Sequence, residues 1–219
     1  MTFEEYVADK TVALVGPAPP QSDQAAEIEA HDLVYRLAQC PIDIPEYGTR
    51  VDIAYLNGWM GRKILDDDHR HYRQRIDSCD WWVFKTKHSR QYRPDGPERL
   101  AFKPAIRNEN AITGALFDLV QFPIKHVSVY GTDLYAAGPG NAYHPEYDAR
   151  PAGVMAEFII IHRPMEQYDT HQAIVATGKV RGDDRYLAAV GISRDQYAAV
   201  VADWKAAYDT HQAAQPALT

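Results

Sequence analysis

The feature that most constrains the fold is a set of short apolar segments, rich in β-branched and aromatic residues, which alternate with segments of helical character. Five of these segments are predicted strands: residues 11–16, 31–37, 49–57, 81–86 and 126–133. Apolar runs without polar alternation are typical of strands buried on both faces of a parallel sheet. Helices are predicted at residues 25–30, 66–78, 110–122, 157–161 and 193–211. We therefore expect an α/β fold with a mostly parallel sheet flanked by helices.

The length and composition bound the class of protein. A chain of 219 residues can bury a sizeable core, so we expect one domain, with two small domains as the alternative. No stretch is long and apolar enough to cross a bilayer, and the first ten residues carry acids where a signal peptide carries bases. A cytoplasmic protein is the expectation. The net charge of −7 argues against a general nucleic-acid coat.

Metal and disulfide chemistry are not indicated. Cys40 and Cys79 are the only cysteines, and without a CxxC pair or paired histidines we interpret both as buried thiols. His69 and His71 stand two apart on a predicted helix, so their side chains diverge. We predict no metal site and no bound cofactor.

Ligands of open parallel sheets bind outside the carboxyl ends of the strands. This rule groups four positions around one crevice: Gly16 to Ala18, Asn57, the helix start at Thr113, and Gly131 to Asp133. The turn after the first strand lacks the GxGxxG spacing, so it is not the dinucleotide fingerprint.

Three segments together resemble the motifs of sialyltransferases. Residues 12–37, "VALVGPAPPQSDQAAEIEAHDLVYRL", resemble the large sialylmotif, and residues 48–57, "GTRVDIAYLN", extend the match. Residues 110–133 are similar to the small sialylmotif, and residues 142–148, "AYHPEYD", to a short downstream motif. The resemblance covers roughly half the chain. It implies a Rossmann-like, metal-independent, inverting glycosyltransferase that uses a nucleotide-activated sugar, CMP-linked in that family, and a hydroxyl-bearing acceptor.

The resemblance assigns a set of nucleotide-binding residues: Gly16, Pro17, Ala18, Asn57, Thr113, Gly114, Gly131, Thr132, Asp133 and Tyr143. A helix start at Thr113 and Gly114 presents N–H groups to a phosphate; the alternative role is a helix cap with tight packing. Asp133 could hold a hydroxyl or finish a turn. Arg36 could face a phosphate or form an ion pair with Asp32 or Glu29. We favour the ion pair.

The chain also departs from the family pattern. The family's turn carries Asn where this chain has Pro17 or Ala18, and its late His-x4-Glu motif falls where Ala152 replaces the His and Glu157 is kept. The catalytic base must then come from elsewhere. We predict His144, with Asp148 or Glu146 to orient the imidazole; the alternative is a surface histidine in a turn.

His162 ends the predicted helix at 157–161, so we assign it a structural role as a cation at a helix C-terminus.

Residues 85–103 carry six basic and two acidic residues and are predicted to form a long loop that borders the acceptor. An anionic acceptor would suit the charge of this loop. Two alternatives stay open. One is a degenerate nucleotide-sugar-binding protein without activity; the other is a nucleic-acid-modifying or nucleic-acid-binding protein, which Tyr92 and Phe102 within the basic segment favour.

Overall fold

The computed structural model describes residues 1–37, 44–58, 77–90, 95–139 and 152–214. Its strands are β1 Thr11–Val15, β2 Leu33–Leu37, β3 Ile53–Leu56, β4 Trp81–Phe84, β5 Glu98–Leu100, β6 His126–Tyr130 and β7 Val180–Gly182. They form one sheet in the order β5-β4-β3-β2-β1-β6-β7, and every pairing is parallel. The predicted α/β class is confirmed, with a Rossmann-like all-parallel sheet.

The helices of the described ranges are α1 Phe3–Val7, α2 Ala25–Glu29, α3 Ala111–Leu119, α4 Ala152–Ile161, α5 Pro164–Val175, α6 Asp184–Gly191 and α7 Arg194–Ala214. Short 3-10 helices lie at Pro45–Tyr47 and Lys87–Ser89. The predicted helices at 25–30, 110–122, 157–161 and 193–211 correspond to α2, α3, α4 and α7. Most of the helix predicted at 66–78 lies outside the described residues. None of the helices in these ranges combines the length and apolarity that a membrane span needs.

Two strands are absent from the sequence-based prediction. Strands β5 and β7 have three residues each, with exposed or half-buried side chains, and they form the two edges of the sheet. Because β5 lies inside residues 85–103, the prediction of an uninterrupted loop there is wrong. Edge strands need no apolar run, since only one side of each is paired and their side chains are partly solvated.

Strands β1 to β4 and β6 form the buried centre of the sheet. On one face, Val12 and Leu14 pack with Leu116 of α3 and Tyr168 of α5. On the other face, Val15 packs with Ile28 of α2 and with Tyr47. Helices α4 and α7 pack on each other around Trp204, whose indole N–H donates to the carbonyl of Tyr135 at 3.0 Å. Both faces of the sheet are therefore packed against helices.

The order of the strands changes direction at β1, since β2 to β5 lie on one side of it and β6 and β7 on the other. Backbone hydrogen bonds join the carboxyl ends of β1 and β6. Gly16 N–H donates to the carbonyl of Tyr130, and Ala18 N–H to the carbonyl of Gly131, both at 2.8 Å. A Cβ atom at Gly16 would lie 2.5 Å from the Gly131 oxygen, and Gly131 has a φ of +62°. Only glycine fits this contact. We call this place the switch point, where the fold rule locates ligand crevices.

Candidate functional site

Two cavities lined by described residues open along the carboxyl edge of the sheet. The switch-point cavity has a volume of about 650 Å³ and is lined by Pro19, Pro20, Asp133, Arg185, Ala188 and other residues of the β1 and β6 turns and of α6 and α7. The basic cavity has a volume of about 480 Å³ and is lined mainly by Asn57, Lys85, Lys103, Arg107, Asn108 and Glu109. Both volumes fall within the range of small-molecule sites, about 300–1,000 Å³.

The switch-point cavity contains a buried ion pair. Arg185 Nη2 lies 3.0 Å from Asp133 Oδ2, and Arg185 Nη1 donates to the carbonyl of Pro19 at 2.7 Å. The Asp133 carboxylate also accepts from the N–H groups of Tyr135 at 2.9 Å and Ala137 at 3.1 Å. Arg185 thus ties α6 to the turns after β1 and β6. The acidic residue predicted to hold a hydroxyl has its oxygens already engaged in this framework.

The basic cavity collects cations from segments far apart in the chain. Asn57 and Lys85 each follow directly on the last residue of a strand, β3 and β4. Lys103 and Arg107 lie on the segment between β5 and α3, and both are exposed at the cavity. With three cations and one carboxylate among the lining residues, the cavity has the electrostatic character of an anion site.

Glu109 is the one carboxylate among the described residues that line this cavity, and it is almost completely buried, with 3% of its surface exposed. Lys85 Nζ lies 3.6 Å from Glu109 Oε1 and donates a hydrogen bond to the backbone carbonyl of the same residue. Oε1 itself has no hydrogen-bond partner in the described part of the chain. Burial lowers the pKa of Lys85, and the charge of Glu109 opposes this effect. Lys85 therefore partly neutralises the carboxylate, while Oε1 receives no hydrogen bond from the described residues.

His162 connects α4 to the rim of the basic cavity. Its Nδ1 lies 2.6 Å from the carbonyl oxygen of Asn108, so Nδ1 carries the proton and donates it, and Nε2 keeps a lone pair. Burial is the main cause that lowers the pKa of His162, so the imidazole is neutral near pH 7. The predicted structural role of His162 is consistent with this contact. The predicted positive charge is not, because burial favours the neutral form of the ring.

The predicted nucleotide-binding residues at the strand ends do not form one site. Gly16 to Ala18 and Gly131 to Asp133 lie together at the switch point, while Asn57 lies in the basic cavity, two strands away. The N–H groups of Gly16 and Ala18 already donate to backbone carbonyls, and Pro17 has no N–H. A phosphate at this turn would have to compete with those bonds.

Thr113 and Gly114 lie at the buried start of α3. Asn110 caps the helix: its Oδ1 accepts from Thr113 N–H at 2.9 Å, and its carbonyl accepts from Gly114 N–H at 3.1 Å. The Thr113 hydroxyl lies 2.7 Å from Gln167 Oε1 and 2.9 Å from His171 Nε2. These contacts are those of a helix cap with tight packing. Phosphate binding there stays a prediction, and it would require Asn110 to be displaced.

The predicted catalytic residues His144 and Asp148, the orienting alternative Glu146 and the nucleotide residue Tyr143 lie outside the described residues. Ala152, which the resemblance aligns with a His, is the first residue of α4 and is half-buried.

Arg36 is buried and donates to the backbone carbonyls of Arg50 and Tyr47. Asp32, one of its two predicted partners, instead accepts from the N–H and the hydroxyl of Thr11. Cys79 is buried as predicted, and burial raises the pKa of its thiol to about 12, which makes it unreactive.

Several cations of the basic segment are engaged in internal contacts. Arg99 forms a bidentate pair with Asp118, at 2.6 and 2.8 Å, and lies over the ring of Phe3. Arg90 pairs with Glu98 at 3.1 Å. The surface available to a nucleic acid is correspondingly reduced, which weakens that alternative.

Glu109 and Arg107 are the site residues that sequence reasoning missed. Their only signal is a polar stretch, "RNEN", directly before a predicted helix, which is also what a helix cap produces. In the described ranges, no group of three or more His, Cys, Asp or Glu side chains is arranged to hold a metal ion. In the comparisons with known proteins, no family model matched the chain, and no curated protein matched it in sequence.

Proposed function

We propose that the protein is a metal-independent glycosyltransferase that uses a nucleotide-activated sugar, and that the nucleotide's phosphate binds in the basic cavity. The observation that carries the proposal is the convergence of Lys85, Lys103 and Arg107 on one cavity at the carboxyl edge of a parallel sheet. Cytidine monophosphate is the proposed nucleotide, and this part rests on the sialylmotif resemblance.

The cations supply what a metal ion would otherwise supply. In an inverting transfer, the acceptor oxygen bonds to the anomeric carbon, the bond from that carbon to the phosphate oxygen breaks, and the electron pair stays on the phosphate. Fixed ammonium and guanidinium groups stabilise this developing charge. The acceptor's proton passes to a base, for which His144 oriented by Asp148 remains the proposed pair.

We assign the phosphate to this cavity because its ammonium and guanidinium groups can bind an anion. At the other predicted positions, the N–H groups of Gly16, Ala18, Thr113 and Gly114 all donate within the protein. Asn57, predicted to contact the nucleotide, lines the same cavity as Lys85 and Lys103. The basic segment, first assigned to the acceptor, is therefore proposed to bind the donor.

The first experiment measures CMP binding by thermal shift and calorimetry, with and without EDTA. A ligand present at a hundred times its Kd stabilises the folded state by about 2.7 kcal/mol. We expect CMP to raise the Tm whether or not EDTA is present. The double variant K103S/R107S should lose at least about tenfold in affinity, because it removes two charge-assisted contacts.

The matched control is K10S/K125S, which removes the same net charge from exposed residues directly before β1 and β6, at the opposite edge of the sheet. Its CMP affinity should equal that of the wild type. The proposal fails if no nucleotide changes the Tm, if EDTA abolishes the effect, or if both double variants lose affinity equally.

One observation favours a second candidate, a nucleotide-sugar-binding protein without activity. Ala152 supplies no imidazole at the first turn of α4. Release of CMP from CMP-sugars in the presence of acceptors separates the two candidates, because the binding protein retains CMP affinity and forms no product.

A further inference from the structure

The unused oxygen of Glu109 points to a ligand. Oε1 belongs to a side chain that lines the basic cavity; the atom is buried, lies 3.6 Å from Lys85 Nζ and has no hydrogen-bond partner among the described residues. A buried acceptor without a partner costs free energy, and such atoms are rare in native proteins. A carboxylate oxygen only accepts, so the partner that it lacks is a hydroxyl or an N–H donor, and a molecule in the cavity can supply one.

The charged residues that line the cavity differ in how exposed they are. Lys103 and Arg107 are exposed, whereas the side chains of Lys85 and Glu109 are 15% and 4% exposed. An anionic group is favoured beside the exposed cations, and a neutral donor is favoured beside Glu109, because two negative groups would repel each other at the floor. The ligand therefore carries an anionic group and, close to it, a hydrogen-bond donor.

We propose that Glu109 Oε1 accepts a hydrogen bond from a ribose hydroxyl of the bound nucleotide, so that the cavity selects ribonucleotides over nucleotides that lack the 2′ and 3′ hydroxyls. The proposal rests on the proposed function. The ribose of a nucleotide carries its hydroxyls on the ring that bears the 5′-phosphate, which matches a donor close to an anionic group. Lys85 Nζ, 3.6 Å from Oε1, offsets the negative charge of the carboxylate and so reduces its repulsion of the phosphate.

The test measures Kd for CMP and for 2′,3′-dideoxy-CMP by calorimetry. The wild type should bind CMP about ten- to a hundredfold more tightly, as expected for a hydrogen bond to a charged group. Glu109→Met, which removes both acceptor oxygens, should bind both with similar, weak affinity, and Glu109→Gln, which keeps one neutral acceptor oxygen, should keep part of the preference. The matched control is Glu166→Met, at an exposed carboxylate on α5, and it should behave as the wild type.

Circular dichroism melts establish that each variant is folded. The proposal is overturned if the wild type shows no preference, or if Glu109→Met retains it. It is also overturned if the substitution changes the preference between CMP and UMP instead, since Glu109 would then contact the base.

A second pair of probes separates this proposal from the proposed function. If CMP does not bind but ribose 5-phosphate binds more tightly than 2-deoxyribose 5-phosphate, and Glu109→Met removes the difference, the nucleotide assignment fails and the role of Glu109 stands. If neither pair is distinguished, both fail.

Discussion

Gly114 has a packing role that can be tested at the level of one methyl group. A Cβ atom there would lie 2.5 Å from the hydroxyl oxygen of Tyr55, a side chain that is buried. We predict that Gly114→Ala lowers the free energy of unfolding by about 1–3 kcal/mol, the usual cost of overpacking. Urea denaturation measures it.

Gly191 is the matched control for this substitution. It also lies in a helix, but a Cβ atom there meets nothing within 4 Å. Gly191→Ala should raise the free energy of unfolding by about 0.4–1 kcal/mol, because it restricts the unfolded chain. Equal effects of the two substitutions would contradict the packing role of Gly114.

His171 should make stability depend on pH. It is completely buried between the hydroxyls of Thr113 and Tyr186, and burial lowers its pKa to about 3. The unfolded chain takes up a proton at this residue below about pH 6.5 and the folded chain does not, so stability is lost as the pH falls from 6.5 towards 3. The slope is at most about 1.4 kcal/mol per pH unit.

Chemical denaturation at pH 7, 6, 5 and 4 measures this slope. In His171→Gln the slope should be smaller, whereas His88→Gln, at an exposed residue, should leave it unchanged. An unchanged slope in His171→Gln would assign the acid sensitivity to other groups.

At the scale of elements, the N-terminus of α3 depends on Asn110. Its side chain accepts from Thr113 N–H and donates to the Tyr135 hydroxyl at 3.1 Å. Asn110→Ala should cost about 0.5–2 kcal/mol, the range for a lost N-cap. Asn110→Asp keeps the cap acceptor and should recover most of the loss in thermal melts. If Asn110→Asp is as unstable as Asn110→Ala, the amide donor rather than the cap carries the effect.

Strand β5 is held to the core through Arg99. Asp118 of α3 is fully buried and accepts from Arg99 and from Phe102 N–H. Desolvation raises the pKa of Asp118, and Arg99 counteracts this. Arg99→Ala should cost about 3–5 kcal/mol, because it leaves a buried charge unpaired.

Replacing both members of this pair is the informative comparison. Arg99→Leu with Asp118→Leu removes the buried charge together with its partner, so denaturant unfolding should show a smaller loss than the single variant. A double variant as unstable as Arg99→Ala would mean that packing against Phe3 and Phe122, not charge, dominates.

At the scale of the whole molecule, the sequence predicts the architecture better than the site. The buried strands carry apolar runs that are visible in any window, so five of them could be predicted. Strand β5, "ERL", carries no such run, and its pairing with β4 depends on a partner from another segment. Arg107 and Glu109 were missed for the same reason: they meet Asn57 and Lys85 only after the sheet forms.

The pairing of β1 with β6 has a consequence during synthesis. Val12 to Val15 are completely buried in the finished sheet, yet β6 follows β1 by about 110 residues. At roughly 5–20 residues per second, a ribosome takes on the order of 5 to 20 s to deliver it. Throughout that interval the nascent chain carries an apolar strand with one open edge, a template for intermolecular pairing. Fragments that stop before residue 126 should therefore bind chaperones or aggregate, and a fragment of residues 1–122 that stays monomeric in ultracentrifugation would contradict this expectation.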